Sequence, residues 1–387
     1  MTAADRSSST LGIDDLAELR ASVRAALDEL APVSATAALM EGDIPWDRKV
    51  WNRLAGELAL PGIAIPGEHG GQGFGGTELG IVLEELGRSL YGGPYLSSAA
   101  IAAGAITLAA DEAFAAAWLP RLAAGTAIAT FAVEETWGDW SSSAAQNQLT
   151  EAGSTHSGRL SGAVRAVLDG QSADLFLTTA LDEEGGVVLV AVEGAQPGVR
   201  AEAEPVLDLT RQLSRVTFRD TRAHVVRTRR PARDVVSAVA HLRRAMLANE
   251  QVGAARAVLD LTIGHARTRI QFGREIGSFQ AVRHRLADLH ADVEMAAATA
   301  RAAAATADWF SPDAAIRAAT AASFCSETFL HVSEEAVQLH GGIGFTWEHP
   351  AHLYLKRAKS SELVFGDPAR HRARLHDQLF AAERQAS

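Results

Sequence analysis

The feature that most constrains this chain is a change of hydrophobic period, from helical to alternating and back to helical, over 387 residues. In the first zone Leu16, Leu19, Val23, Leu27 and Leu30 recur at spacings of three or four, which marks one apolar helix face. Trp46, Trp51, Leu54 and Leu58 predict a second helix that stops at Pro61-Gly62, and a third, N-capped by Thr77, runs through Leu79, Val82, Leu83 and Leu86. From Ala127 the pattern becomes short alternating runs: Ala127 to Val133, Ala163 to Leu168, Asp174 to Thr179, Gly186 to Val192 and Leu213 to Phe218. Gly, Asp and Ser clusters separate them at hairpin-like spacing. Beyond Ala232 three long Ala-rich helices are expected, one carrying Leu242, Met246, Val252, Leu259 and Ile263, the next over Phe279 to Asp308, the last over Pro312 to Leu339. Alanine lets neighbouring helix axes approach, so these should pack as a bundle. The reading is an α+β chain of three parts: an α-helical domain over 1–126, a β-barrel or sandwich domain over 127–228, and a helical bundle over 229–387.

Composition narrows the function classes. A net charge of −11 argues against a nucleic-acid partner, because phosphate binding needs a local surplus of Lys and Arg. The single cysteine, Cys325, has no disulfide partner and belongs in a core, and no pair of cysteines suggests zinc. His284 and His340 lack a second ligand at metal spacing, so they are read as capping or packing residues. No apolar stretch is long enough to span a membrane, and Met1 to Leu11 has no apolar signal-peptide core, so a cytoplasmic protein is expected. The glycine-rich run Glu68 to Gly76 lacks the Lys and Ser/Thr of a Walker loop, and is read as a turn between helices.

Two segments carry chemistry. Arg269-Ile270-Gln271-Phe272-Gly273 ends a long helix with cations, turns at Gly273 and Gly277, and restarts at Ser278. An arginine at a helix end, beside a turn and an aromatic, suits a pyrophosphate and an adenine. Gln338-Leu339-His340-Gly341-Gly342-Ile343-Gly344-Phe345 places a glutamine one turn before glycines that permit close approach to a ligand.

In this order these segments resemble the R-x-x-F-G and Q-x-x-G-G-x-G-F elements of the acyl-CoA dehydrogenase family. Pro66 to Gly73 and Glu84-Glu85-Leu86-Gly87-Arg88 resemble its helical domain, so the likeness spans the chain. The resemblance implies an α-domain, a β-domain and a C-terminal four-helix bundle. It also implies FAD shared between two subunits, with the two elements of one holding the adenosine and pyrophosphate of the FAD whose flavin ring sits in the other. Arg269, Gln271, Phe272, Ile276, Phe279, Gln338, Leu339, Gly341 and Gly342 would serve there, and all are chemically suitable.

The flavin-receiving positions are not. Where the family has Thr-Glu-Pro this chain has Glu134-Glu135-Thr136, and where it has Trp-Ile-Thr the ungapped count gives Ala166-Val167-Leu168. Alanine cannot stack on a flavin and leucine cannot hydrogen-bond one. The family's base, a carboxylate that takes the α-proton while flavin N5 takes the β-hydride, aligns with Phe365, and its alternative position holds Arg243. Asp367 and Ala369 also replace polar residues that would touch the chain's own FAD. Glu250 is the remaining candidate for a displaced base, with Glu134 and Glu135 behind it; Glu362 is expected to face outward, and Trp137 and Trp140 form a lid or a turn.

The profile implied is that of a donating subunit in an α2β2 acyl-CoA dehydrogenase, with an acyl-CoA substrate, a second dehydrogenase subunit and an electron-transfer flavoprotein as partners. A steroid side-chain CoA ester is a substrate this resemblance suggests. Two other readings stay open: a self-sufficient homotetramer using Glu250, and a flavin-free scaffold or CoA-binding protein.

Overall fold

The computed structural model describes residues 11–40, 45–133, 147–150 and 157–380. The expected period change is realised. Helices α1 (Ile13–Leu30), α2 (Val33–Leu39), α3 (Arg48–Gly56) and α4 (Gly76–Arg88) lead to a π-helical segment, Tyr95–Ala102, that runs directly into α5 (Ala103–Ala109), followed by α6 (Glu112–Ala123). The apolar face read on α1 buries Val23 and Leu27. Arg20 and Arg24 on the same helix reach the buried Glu84 and Glu85 of α4 at 2.8–2.9 Å, clipping α1 onto the body.

Helix α4 starts two residues earlier than the Thr77 cap predicted. Gly75 is the cap residue, and the Glu78 carboxylate accepts from the Gly75 N–H at 3.0 Å and from the Leu11 N–H at 2.9 Å. A glutamate reaching back to the N–H of the cap residue marks the helix start in place of the expected threonine. The glycine-rich run is a packing turn: the N–H groups of Gln72, Gly73 and Phe74 donate to the carbonyls of Gly62, Ile65 and Ile63. With those donors occupied, no cradle for a phosphate remains there.

The middle strands are β1 (Ala129–Phe131), β2 (Gln148–Thr150), β3 (Ser157–Leu168), β4 (Leu175–Leu181), β5 (Val187–Glu193), β6 (Val199–Ala203) and β7 (Leu213–Val225). The circuit β4–β5–β7–β3–β2 returns to β4, so the sheet closes into a small barrel; β1 lies parallel beside β4, and β6 beside β7. Closure removes the open edges that a five-strand meander would expose. Its interior is apolar, with Leu160, Val164, Phe176, Val190, Val192, Val216 and Phe218 buried.

The bundle is built from α7 (Ala232–Thr268), α8 (Gln280–Ala304), α9 (Pro312–His340) and α10 (Ala351–Phe365), extended by α11 (Pro368–Leu379). A short hairpin, β8 (Ile270–Gln271) with β9 (Arg274–Glu275), joins α7 to α8. Helix α8 restarts at Gln280 behind Phe279, not at Ser278, whose hydroxyl donates to the Glu275 carbonyl at 2.6 Å. Helices α4 and α7 cross backbone to backbone: a Cβ on Gly253 would lie 1.7 Å from the Glu84 carbonyl oxygen, and one on Gly87 2.0 Å from that of Glu250. No side chain larger than hydrogen fits either position. Cys325 is core, as read, and burial pushes its thiol up. Among the described residues no helix is long and apolar enough to cross a membrane.

Candidate functional site

Two separated places gather the residues singled out from the sequence. The first is the exposed end of the bundle. Arg269 caps α7, and its carbonyl accepts from the Ile276 N–H at 2.8 Å, which closes the β8–β9 hairpin back on the helix end. The hairpin turns at Phe272 (φ 53°) and Gly273 (φ 77°). Two successive positive φ values are the pattern of a type I′ turn, where a phenylalanine carries backbone strain of about 1 kcal/mol or more. That strained side chain is 92% exposed and meets only the edge of Phe279, ring centres 6.3 Å apart, while Arg274 covers Phe279 at 4.0 Å.

A strained, solvated aromatic buries little against its own subunit. Ile270 on the same hairpin is also exposed, as are Ile343, Phe345 and Trp347 in the connection that follows α9. The second sequence element lies at the same end, because His265, one turn before Arg269, stacks on His340 at 4.5 Å. Gln338 is exposed and Leu339 half-buried, and a Cβ on Gly341 or Gly342 would meet no atom within 4 Å, so this backbone is open to an approaching ligand.

The second place is a pocket of about 580 Å³ between the barrel and the bundle. Its walls come from the π-helical segment (Ser97, Ile101), from β1 and β3 (Thr130, Phe131, Ala166, Leu168), from α7 (Arg243) and from the end of α10 (Phe365). Both positions expected for a base therefore face one cavity, and they touch each other: the guanidinium of Arg243 lies 5.2 Å from the ring centre of Phe365. Arg211 approaches the same ring at 5.6 Å, and Phe365 is buried in the main core. Neither a ring nor a guanidinium accepts a proton at neutral pH.

Ala166 and Leu168 line this pocket, on a β3 bulged between Val164 and Val167, with Ala166 itself left-handed. Glu204 pins the bulge, accepting from the Ala166 N–H and from Arg165, each at 2.8 Å. Arg165, Arg243, Lys359 and Arg370 stand against Glu362 and Asp367 in the lining, which leaves it cationic. Glu362 is corrected here: it does not face outward but lines the pocket, paired with Lys359 at 2.5 Å. Asp367 caps α11, accepting from the Arg370 N–H at 2.8 Å.

Glu250 is the remaining candidate for a displaced base. It lies on α7, buried, and one carboxylate oxygen accepts from Arg211 at 2.6 Å and from Arg357 at 2.7 Å. Arg357 also donates to Asp208 at 3.0 Å and to Thr210, tying the β6–β7 connection to α7 and α10. Burial works against the charge on Arg357, but Asp208 and Glu250 outweigh it and raise its pKa; burial and the neighbouring Arg357 leave Arg211 lowered. A carboxylate clamped by two buried cations is a structural anion, since protonating it would strand both. The residues suggested as a displaced base or lid at 134–137 and 140 lie outside the described residues.

Sequence reasoning missed Arg165, Arg211, Arg357 and the histidine stacking, because each depends on contacts between distant segments. Below the pocket floor, Asp169 accepts from Ser97 at 2.5 Å, and burial pushes its carboxyl up to about 6.

The comparisons agree with this geometry. The model of the acyl-CoA dehydrogenase N-terminal domain matches residues 14–126, and that of the C-terminal domain matches 233–380. Acyl-CoA dehydrogenase IpdE2 of Mycolicibacterium smegmatis is 30% identical over 362 residues, 94% of this chain and 98% of that protein. The chain belongs to the acyl-CoA dehydrogenase family. Members are oxidoreductases of the CH–CH bond of acyl-CoA. Two solved family structures resemble it over nearly their whole length. A chain of the ChsE4-ChsE5 complex from Mycobacterium tuberculosis is 29% identical, covers 95% of this chain and 98% of its own, and has a TM-score of 0.84. A chain of the Tcur3481-Tcur3483 steroid acyl-CoA dehydrogenase variant is 28% identical, covers 97% and 99%, and has a TM-score of 0.83. The family's cofactor is FAD. The exposed bundle end offers a cation, aromatic faces and open glycine backbone that fit a share of it; the pocket has alanine, Ala166, where the resemblance expects a stacking ring, and no carboxylate at either base position.

Proposed function

We propose that this chain is the donating subunit of an α2β2 acyl-CoA dehydrogenase. It supplies the adenosine- and pyrophosphate-holding half of a partner's FAD site, and its own pocket takes no flavin. The observation that carries this reading is Phe365, buried and in contact with Arg243 where the family places its base, while Phe272 is held strained and bare at the other end of the chain. Arg269 would neutralise pyrophosphate charge, Phe272, Ile276 and Phe279 would flank the adenine, and Gln338 with the backbone of Leu339 to Gly342 would complete the cradle. FAD, when bound, supplies the hydride acceptor; the base comes from the partner.

The relatives support a heteromer: ChsE4-ChsE5 and Tcur3481-Tcur3483 are complexes of two named chains, and the second is a steroid acyl-CoA dehydrogenase. A steroid-type CoA ester is accordingly the proposed substrate of the assembly, and an electron-transfer flavoprotein its proposed acceptor. A self-sufficient homotetramer loses its support with Glu250 committed to Arg211 and Arg357.

The test is to purify the chain alone and with a flavin-receiving subunit of the family. Flavin absorbance and bleaching by acyl-CoA are expected only in the complex, and Arg269→Ala should weaken FAD retention there by about tenfold to a hundredfold. Stoichiometric, bleachable FAD on the isolated chain would sink the reading. FAD retention indifferent to Arg269→Ala would favour a scaffold.

A further inference from the structure

Beneath the exposed bundle end lies a column of imidazoles that neither the family chemistry nor the pocket uses. His265, in the last turn of α7, stacks on His340 at 4.5 Å, and His340, the last residue of α9, lies 4.1 Å from His349. His349 belongs to the connection between Gly344 and α10; His352 on α10 follows, its ring edge-on to Trp347 at 4.9 Å. The column ties together the ends of three bundle helices. Gly341 and Gly342 follow directly from His340.

The hydrogen bonds fix the protonation state of the two inner rings. His340 is buried, and its Nδ1 donates to the Ala336 carbonyl at 2.7 Å. In the neutral ring that leaves Nε2 as a bare lone pair, and it has no partner and no contact with solvent. The Nδ1 of His349 accepts from the Ala351 N–H at 3.2 Å, capping the first turn of α10. Only a neutral imidazole has a nitrogen free to accept. Protonation of His349 therefore abolishes the cap and places a cation against the positive end of α10.

The surroundings give a cation no relief. Arg269 at the end of α7 and Lys356 on α10 are the charged groups that act on the histidines, and both are positive. Among the described residues no carboxylate acts on any of the rings. The C-terminal ends of α7 and α9 would welcome charge on His265 and His340, but burial, first among the causes for each, holds both below the ordinary histidine value. Burial, then His340, His265 and His352, holds His349 down to about 4.

We propose that the His265–His340–His349 column is an acid-sensitive latch. With its rings neutral it closes the connection 341–350 onto the bundle end; with His349 protonated it uncaps α10 and opens that connection. The sign follows from the lowered values. The unfolded or opened segment binds a proton that the closed one refuses, so the closed form is fully favoured above the ordinary histidine range and loses ground as pH falls from 6.5 toward 4. That opening should disorder the cofactor cradle is a consequence that rests on the donor reading; the latch itself does not.

The test is amide hydrogen exchange on the isolated full-length chain at pH 7.5 and 5.5, corrected for intrinsic rates. Opening of residues 341–353, with the Ala351 N–H as reporter, should rise by up to roughly tenfold at the lower pH, the shift expected for a group at about 4 when closed and 6.5 when open. His349→Asn keeps an acceptor at the cap but does not titrate, so its opening should rise clearly less than wild type's between the two pH values, with only His265 and His340 left to respond. His349→Phe removes the cap and should show raised opening at both. Wild-type protection that is flat between the two pH values, or an equal rise in His349→Asn, would overturn the latch. Either outcome leaves the donor reading untouched, since FAD transfer to a partner is scored separately at neutral pH.

Discussion

The two functional regions of this chain are opposites in construction. The bundle end keeps its chemically useful groups bare: Phe272 stands out strained, Arg269 and Gln338 are exposed, and the glycine backbone is open. The pocket under the barrel has its useful positions filled and locked: Phe365 is core, Arg211 is held by Glu250, and Arg165 by Glu204. A surface built to be completed by another molecule contributes little to its own subunit's stability. A site that has lost its ligand can be absorbed into the core. On the proposed reading, the same fold would carry one half of a shared site for binding and the other half for stability.

That contrast is breakable in a graded way. The largest effect is expected in the locked region. Arg357→Ala leaves the buried Asp208 without its cation and Glu250 with Arg211 alone, and should cost about 3–5 kcal/mol in denaturant unfolding. A loss below about 1 kcal/mol would show the network to be ornamental.

Asp169→Asn comes next, with the opposite sign. The folded protein holds this carboxyl up at about 6 against an ordinary 3.8, so the stability tied to its proton is present below pH 3.8 and lost as pH rises through 6. Asparagine tolerates the left-handed backbone at φ 52° and can still accept from Ser97. The variant should gain about 2 kcal/mol at pH 8 and almost nothing near pH 4, read from paired urea melts.

The smallest effect belongs to the bare region. Phe272→Asn creates the Asn-Gly pair that a type I′ turn prefers, and should stabilise the chain by about 0.5–1 kcal/mol while weakening FAD retention in the complex. Stabilisation without loss of cofactor would mean that the strain serves nothing.

How much was legible in the sequence follows the same division. The switch of hydrophobic period located the barrel between two helical regions, because burial on one face writes its period directly into the chain. The exposure of the bare elements was legible too, since Arg269 to Gly273 and Gln338 to Gly342 are local runs at a helix end and a turn. The surroundings of Glu250 and Glu362 were not legible, for a common reason. Which face of a helix a carboxylate occupies can be read locally, but what meets it cannot. Arg211 and Arg357 reach Glu250 from 39 and 107 residues away, and the barrel residues that share the pocket with Glu362 are more distant still in sequence. The histidine column was invisible for the same cause, since its three rings come from the ends of two helices and a turn. The Thr77 cap failed on competition: Glu78 reaches back to the Gly75 N–H and marks the helix start instead.

The central claim is that this chain lends its bundle end to one FAD and leaves its own pocket without flavin. Counting cofactor per assembly tests it most directly. In the purified complex with a flavin-receiving subunit, flavin absorbance against protein mass should give one FAD for each pair of chains. Two FAD per pair would mean that the pocket around Phe365 and Arg243 binds flavin after all, and would contradict the account.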